Sequence, residues 1–571
     1  MVNNSRQPYS GTQKKIESLL RFGIVIMLLL IANVLARDYF FRIDLTEDKR
    51  YTITDATKNL LRELDDVVYV EVYLEGEVPG GFKRLQRSIR ETLEEFRNIA
   101  GPKVQFSFID PAEAASPEAR NEFYQRLAAK GLQPTNIIDT EGGRKTEKIV
   151  VPGAVISYGG EEQGVMLLGG NKAASPEEKL NQSVEGIEYA LASTIQALAR
   201  EQQFRVGWLT GHGELDSVRV SSVQEAIAEK YILEEVFLPA AQNLDRYDAL
   251  IMAKPTQPFS EQAKYKLDQY LLNGGRGLFF VDQVLVNMDS AGGEGTLGIP
   301  LNLNLNDFFF NYGIRLNQNL VQDLSSGAYP VVVGNIGTEP QIQMMPWPFF
   351  PVLNNYGPHV IVRNLDATYG QFMSTIDTVK SEGISKVPLI LTSEYARTFN
   401  APVRVSINDL RRDLNPKQYT EGPLPVGFLL EGRFPSLYQN RFLPEGVPNE
   451  GFLEEGEARL ITVADGDFIA NELNFRTGEP YPLGFAPFTQ QTFANQEFVM
   501  NSLAYLTNEE GLILARNKEV SIRPLDPVQS EEEKLFWQVV NLAGPVVLVI
   551  LLGLVFNYVR KRRYTHFKSY L

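Results

Sequence analysis

Phe536 to Val559 reads FWQVVNLAGPVVLVILLGLVFNYV without a single charge. The hydrocarbon core of a bilayer takes about 20 apolar helical residues to cross, so this stretch limits the chain more than any other. Trp537 and Tyr558 stand near its two ends, where amphipathic rings prefer the interface. A buried core helix suits neither the uncharged length nor the RKRR that stops it. A second apolar stretch, Phe22 to Ala36 (FGIVIMLLLIANVLA), lies near the N-terminus. Alone it is short, and with Ile16, Leu19 and Leu20 it reaches the required length. We expect two membrane helices, at 16–37 and 536–559. The alternative for the first is a cleaved signal peptide, with Val34-Leu35-Ala36 as a small-residue cleavage site.

Basic residues set the orientation. Arg6, Lys14, Lys15 and Arg21 precede or open the first span; Arg560, Lys561, Arg562, Arg563 and Lys568 follow the second. Positive flanks stay in the cytoplasm. Both tails, 1–15 and 560–571, then face inward, and the 498 residues between the spans face outward. Together with Trp537, Lys14, Lys15, Arg21 and Arg560 to Arg563 are the expected anchoring residues. The natural setting is an inner membrane with the bulk of the chain in the periplasm.

The net charge is −15, but residues 38–559 hold 45 basic and 69 acidic residues, net −24. A phosphate backbone is gripped by Lys and Arg, so nucleic acid is not an expected partner. There is no cysteine, which excludes disulfides and thiolate chemistry. At roughly 150 residues per domain, the outward region holds about three domains. We place them at 38–180, 181–300 and 301–530.

The first domain reads as helix (Asp55–Leu64, capped by Thr54), strand (Val67–Leu74), long helix (Gly81–Ile99) and strand (Lys103–Ile109). That order is a βαβ unit, which favours a parallel pair. A helix at Pro117–Lys130 and a hairpin at 149–168 follow. The second alternates strands at 204–210, 233–238, 248–253 and 277–282 with helices at 223–231 and 260–272. The fold class is therefore α/β with a mostly parallel sheet, extended by a mixed α+β C-terminal part. Met344 to Pro351 (MMPWPFFP) holds three prolines in eight residues and reads as an apolar loop. Its Met344, Met345, Trp347, Phe349 and Phe350 form a candidate partner surface, or pack over their own core.

Chemistry is sparse. His212 and Glu214 follow a buried strand, where ligand groups gather in such sheets; the favoured reading is a tight turn made by two glycines, with His212 capping or packing there. Asp465-Gly466-Asp467 reads as a turn and lacks the oxygen run of a calcium loop. No G-x-x-x-x-G-K-[ST] and no G-x-S-x-G occurs, so neither a P-loop nor a nucleophile elbow is present. No catalytic residue, cofactor or metal is expected. In the spans, Asn33, Gln538 and Asn541 could hydrogen-bond to a neighbouring helix; the alternative for Gln538 and Asn541 is a place in the wet interface.

Residues 41–97, from FRIDLTEDKRYTITDATKNLL to LEEFR, resemble the gliding motility-associated ABC transporter auxiliary family of Bacteroidetes, the GldG family. GWLTGHGELD (207–216) and ITVADGDFIANE (461–472) are similar to it too. The resemblance implies a non-catalytic subunit working with an ABC permease and a separate cytoplasmic ATPase, in a complex that could hold a second copy of the chain. It also implies an α/β domain of the kind called GIFT, shared with an intraflagellar transport protein. A solute receptor with a cleft between α/β modules, and a membrane-anchored hydrolase using His212, Glu214 or Asp465, are the competing readings.

Overall fold

The computed structural model describes residues 19–20, 22–28, 53–512 and 534–565, apart from 77, 114–115, 140–145, 170–175, 200–203, 289–290, 292–294, 337–338, 412–413, 448–450 and 508–510. Most of the expected first span lies outside them, with Lys14, Lys15 and Arg21 and the residues around Ala36. Leu19, Leu20 and Phe22 to Leu28 are helical and exposed. Among the described residues one helix, Phe536–Arg562, is long and apolar enough to cross a membrane.

The N-terminal domain opens with α1 (Asp55–Glu63). Its cap Thr54 accepts from the Thr57 amide and donates its hydroxyl to Glu188. Strand β1 (Val68–Val72), α2 (Gly80–Ala100) and β2 (Val104–Phe108) form the expected βαβ unit, with β1 and β2 parallel. Phe82, Leu85, Ile89, Leu93 and Phe96 bury the inner face of α2, as helical spacing requires. After α3 (Pro117–Ala129), strands β3 (Gly153–Tyr158) and β4 (Glu161–Met166) complete a four-stranded sheet. Their turn is Gly159-Gly160, both at positive φ, the conformation a two-residue hairpin turn demands. Helix α4 (Pro176–Ala199) packs against α2.

The main domain is built on an eight-stranded sheet. Five strands run parallel: β5 (Arg205–Thr210), β6 (Ile232–Phe237), β7 (Ala249–Ala253), β8 (Asn273–Phe280) and, from far along the chain, Glu455–Val463. The last pairs with β8 and enters the sheet beside it. Residues 425–435, 384–391 and 355–356 then add three antiparallel strands. The boundary expected at residue 300 therefore cuts through one sheet. Hydrophobic runs locate strands but carry no record of which strand lies beside which. The fold is mixed α/β, and the mostly parallel description holds for one half of the sheet.

The central strands are buried on both faces. Leu250, Met252 and Phe279 enter a core with Leu267 and Leu271 of α6 (Glu261–Leu272). Ile251, Leu278 and Phe280 enter the opposite core with Val220, Val223 and Ile227 of α5 (Ser217–Ala228) and Phe498 of α7 (Asn495–Thr507). Gly456 is required by close approach: a Cβ there would lie 1.9 Å from the Leu272 carbonyl oxygen.

Met344 to Pro351 is a strand, contrary to the loop expected from its prolines. Strands β9 (Ser326–Ile336) and β10 (Glu339–Leu353) form a long antiparallel hairpin. Register breaks between the pairs Ser326–Pro351 and Ala328–Pro346, where the one residue between on β9 faces four on β10. Such a bulge releases strand positions from donating to the ladder, which is what proline needs.

After α7 the chain passes Leu512, which is fully buried in the core of the N-terminal domain. Leu512→Ala should cost about 2–5 kcal/mol. It should lower hydrogen-exchange protection in α2 and α4 while the central strands stay protected; unchanged protection of α2 and α4 would contradict this packing.

Candidate functional site

The carboxyl ends of the parallel strands, where such sheets present ligand groups, hold a cluster of buried and half-buried charges. Lys254 follows β7, Asp282 follows β8, and Asp465 follows the strand Glu455–Val463, labelled here β11. The Lys254 ammonium lies 2.5 Å from Asp467 and 3.3 Å from Asp282. The backbone of Lys254 has φ 53°, a left-handed conformation that costs a non-glycine residue about 1–3 kcal/mol. Gly466 packs directly on the Lys254 side chain.

Each carboxylate has other work. Asp282 accepts from the Gly466 amide at 2.5 Å. Asp465 accepts from the amides of Asp467 and Phe468 through one oxygen and from that of Gln371 through the other. Burial works against the Lys254 charge, but the carboxylates of Asp282 and Asp467 outweigh it and hold the ammonium above the usual lysine range. Burial pushes the Asp282 carboxyl up despite Lys254. Burial, then Asp467 and Asp282, push the Asp465 carboxyl well above the carboxylate range. Glu472, raised by burial, accepts from the Gln371 side chain and extends the network.

Asp282, Asp465 and Asp467 bring carboxylate oxygens within 4.8 Å of one another, a spacing that could suit a cation. Here Lys254 supplies the positive charge. A divalent ion there would compete with the Lys254 ammonium for Asp282 and Asp467. The arrangement is that of an internally neutralised structural cluster.

His212 and Glu214 occupy the loop after β5, at the same edge. His212 stacks on Phe259 with ring centroids 3.7 Å apart. Its amide donates to Glu214 at 2.7 Å, and its Nδ1 lies 3.6 Å from the second Glu214 oxygen. The His212 carbonyl accepts from Thr256 and Gln257, which ties this loop to the one that begins at Lys254. Both side chains are buried, so the pair is a packed turn beside the charged cluster. Nothing in it presents a nucleophile with a base.

The sequence reading found His212, Glu214, Asp465 and Asp467 but missed Lys254 and Asp282. A signal was there: each stands at the end of a buried apolar run, as in ALIMAK and GLFFVD. Of the expected partner surface, Trp347, Phe349 and Phe350 are buried in a core with Phe372 and Val405, and Met345 is partly buried against it. Met344 alone of the five is exposed, at 42%. In the C-terminal helix Trp537, Arg560, Lys561 and Arg562 are exposed. The side chain of Arg563 lies outside the described residues.

A cleft of about 520 Å³ opens elsewhere, between α4 and α7. Tyr189, Gln196, Lys230, Tyr231, Glu497 and Asn501 are among its walls, and His212 is not.

Lys254→Met should destabilise the main domain by about 3–5 kcal/mol, because it leaves buried carboxylates without their cation. The check is thermal unfolding against wild type; an unchanged transition would contradict it. Asp465 gives a pH dependence. An unfolded aspartate titrates near about 4, and the native group titrates higher. The native state therefore gains from this proton below about pH 4 and loses the gain as pH rises through the native pKa. Relative to wild type, Asp465→Asn should gain stability between about pH 4 and 7, measured as the difference in Tm across that range.

Residues 203–502, the main domain, match the family described as an ABC-type uncharacterized transport system. Residues 47–157 match a domain of unknown function, DUF7088. A protein of Borreliella burgdorferi, described as uncharacterized, is 21% identical over 563 residues, 95% of this chain and 98% of its own length. Among solved structures, the N-terminal domain of mmIFT52 is 13% identical, covering 53% of this chain and 97% of that one, with a TM-score of 0.30. A ThuA-like protein of Parabacteroides merdae is 11% identical, covering 57% and 94%, with a TM-score of 0.26. The family match spans more than half of the sequence: the chain belongs to the auxiliary family of ABC-type transport systems.

Proposed function

We propose that this chain is a non-catalytic, membrane-anchored subunit of an ABC-type transporter complex. The observation that carries the reading is the family match over 203–502 in a chain that ends in a membrane-length helix. In this reading both termini are cytoplasmic and the α/β region lies in the periplasm. A permease and a separate cytoplasmic ATPase complete the complex. The chain has no P-loop of its own, and its charged cluster is neutralised internally rather than set up for chemistry. The resemblance of residues 41–97 to the gliding family supports a link to gliding motility.

Leu512 gives the coupling a physical route. Leu512, which follows α7, is buried in the core of the N-terminal domain, so in this reading a pull carried along the chain from the C-terminal helix acts on this core first. Extraction in mild detergent through a tag on this chain should bring down a multi-spanning permease and an ATPase, identified by mass spectrometry. Recovery of the chain with neither would contradict the proposal.

The cleft between α4 and α7 favours a second reading, a solute receptor. Its size falls in the range of small-molecule sites, about 300–1,000 Å³, and its walls mix aromatic rings with Lys230 and carboxamides. A ligand there should raise the Tm of the wild-type protein and lose that effect in Asn501→Leu. Failure of every periplasmic extract to shift Tm would count against it.

A further inference from the structure

A second cleft opens in the excursion between β8 and β11, with a volume of about 890 Å³. Its walls come from the short helix Asn306–Asn311, the strand Ile314–Leu316 with residues 317–319, and Asp377, Asn400 and Arg441 from further along the chain. Six of its thirteen wall residues are Asn or Gln, and none is Lys or Glu, which commonly coat an exposed surface. The charges cancel in place. Arg315 holds Asp377 at 2.6 Å, and Arg441 holds Asp307 at 2.6 Å. Within a stretch of net −24, this cleft is neutral.

The floor is fixed by hydrogen bonds. Arg315 Nε donates to Asn317 Oδ1 at 3.0 Å, and the side-chain amides of Asn317 and Asn319 both donate to the Thr375 hydroxyl at 2.9 Å. Asn311 donates to the Pro435 carbonyl at 2.7 Å. At the rim, the carboxamides of Asn306, Gln318 and Asn400 are exposed and have no hydrogen-bond partner among the described residues. Phe308 and Phe309 of the short helix are buried, whereas Phe310 is 56% exposed and lines the cleft.

These groups select by chemistry. A carboxamide offers a donor and an acceptor side by side, which matches two neighbouring hydroxyls, each of them donor and acceptor. An aromatic face is electron-rich and takes the C–H face of a sugar ring. A phosphorylated or carboxylated ligand needs a free cation, and both guanidinium groups here are paired. The apolar wall, Phe310, Leu316 and Ala401, is too small for the side-chain anchors of a peptide. We propose that this cleft binds a neutral saccharide, with one ring over Phe310 and its hydroxyls on Asn306, Gln318 and Asn400. The proposal does not depend on the transporter reading. A free oligosaccharide and an N-acetylated cell-wall glycan share this chemistry.

The test titrates the full chain in lipid nanodiscs with maltotriose, triacetylchitotriose and trialanine, read by saturation-transfer NMR and titration calorimetry. We expect at least one of the two sugars to bind in the millimolar range. Maltotriose would mark a free oligosaccharide as the source, and triacetylchitotriose the glycan. Phe310→Ala/Gln318→Ala should weaken that binding about tenfold and keep the wild-type Tm, since both side chains are exposed. Phe475→Ala, at an exposed ring outside the cleft, should bind as wild type does. If the double variant does not fold, Asn400→Ala carries the same expectation. Binding of neither sugar to wild type overturns the proposal, with or without binding of trialanine. Undiminished binding by the folded variant, or an equal loss in Phe475→Ala, overturns it too.

Discussion

One half-buried ammonium organises the carboxyl edge of the main sheet. Lys254 sits between Asp282 and Asp467 and so joins the ends of three adjacent parallel strands, β7, β8 and β11. These strands come from residues 249–253, 273–280 and 455–463. The long excursion between the last two must close before the sheet exists. Loop closure of that length is costly in entropy though only slowly growing with length, and the ion pairs help hold the closed arrangement. Removing one member of such a buried set costs more than the set contributes, since the remaining charges stay buried. The left-handed backbone of Lys254 is strain that the surrounding contacts hold in place.

This edge is also where a sheet of this kind would present a ligand site. Here its charges are consumed by one another and by backbone amides, and His212 is stacked on Phe259. The position in the fold is one that chemistry often uses, while the residues are arranged for rigidity.

Much of the fold was legible because the local signals were strong. Thr54 and the apolar spacing from Phe82 to Phe96 marked helices that the structure shows within a residue or two. ALIMA and GLFF marked strands buried on both faces. What stayed hidden was long-range. Nothing near residue 455 says that its strand inserts beside β8, so the boundary at 300 was drawn through a sheet. Prolines at 346, 348 and 351 argued for a loop, and the bulged hairpin accommodates them. The same distance effect hid half of the charged cluster. Asp465-Gly466-Asp467 stood out as a short motif, whereas Lys254 and Asp282 are single residues, joined to it only by the strand order.

In the proposed function, the C-terminal helix ties the α/β region to an ABC transporter complex. The most direct measurement is a single-particle structure of the assembly purified through this chain in lipid nanodiscs. This reading requires the C-terminal helix to lie against permease helices, with nucleotide-binding subunits on the side of its basic tail. A C-terminal helix surrounded by lipid, with no permease and no nucleotide-binding subunit in the particle, would contradict it.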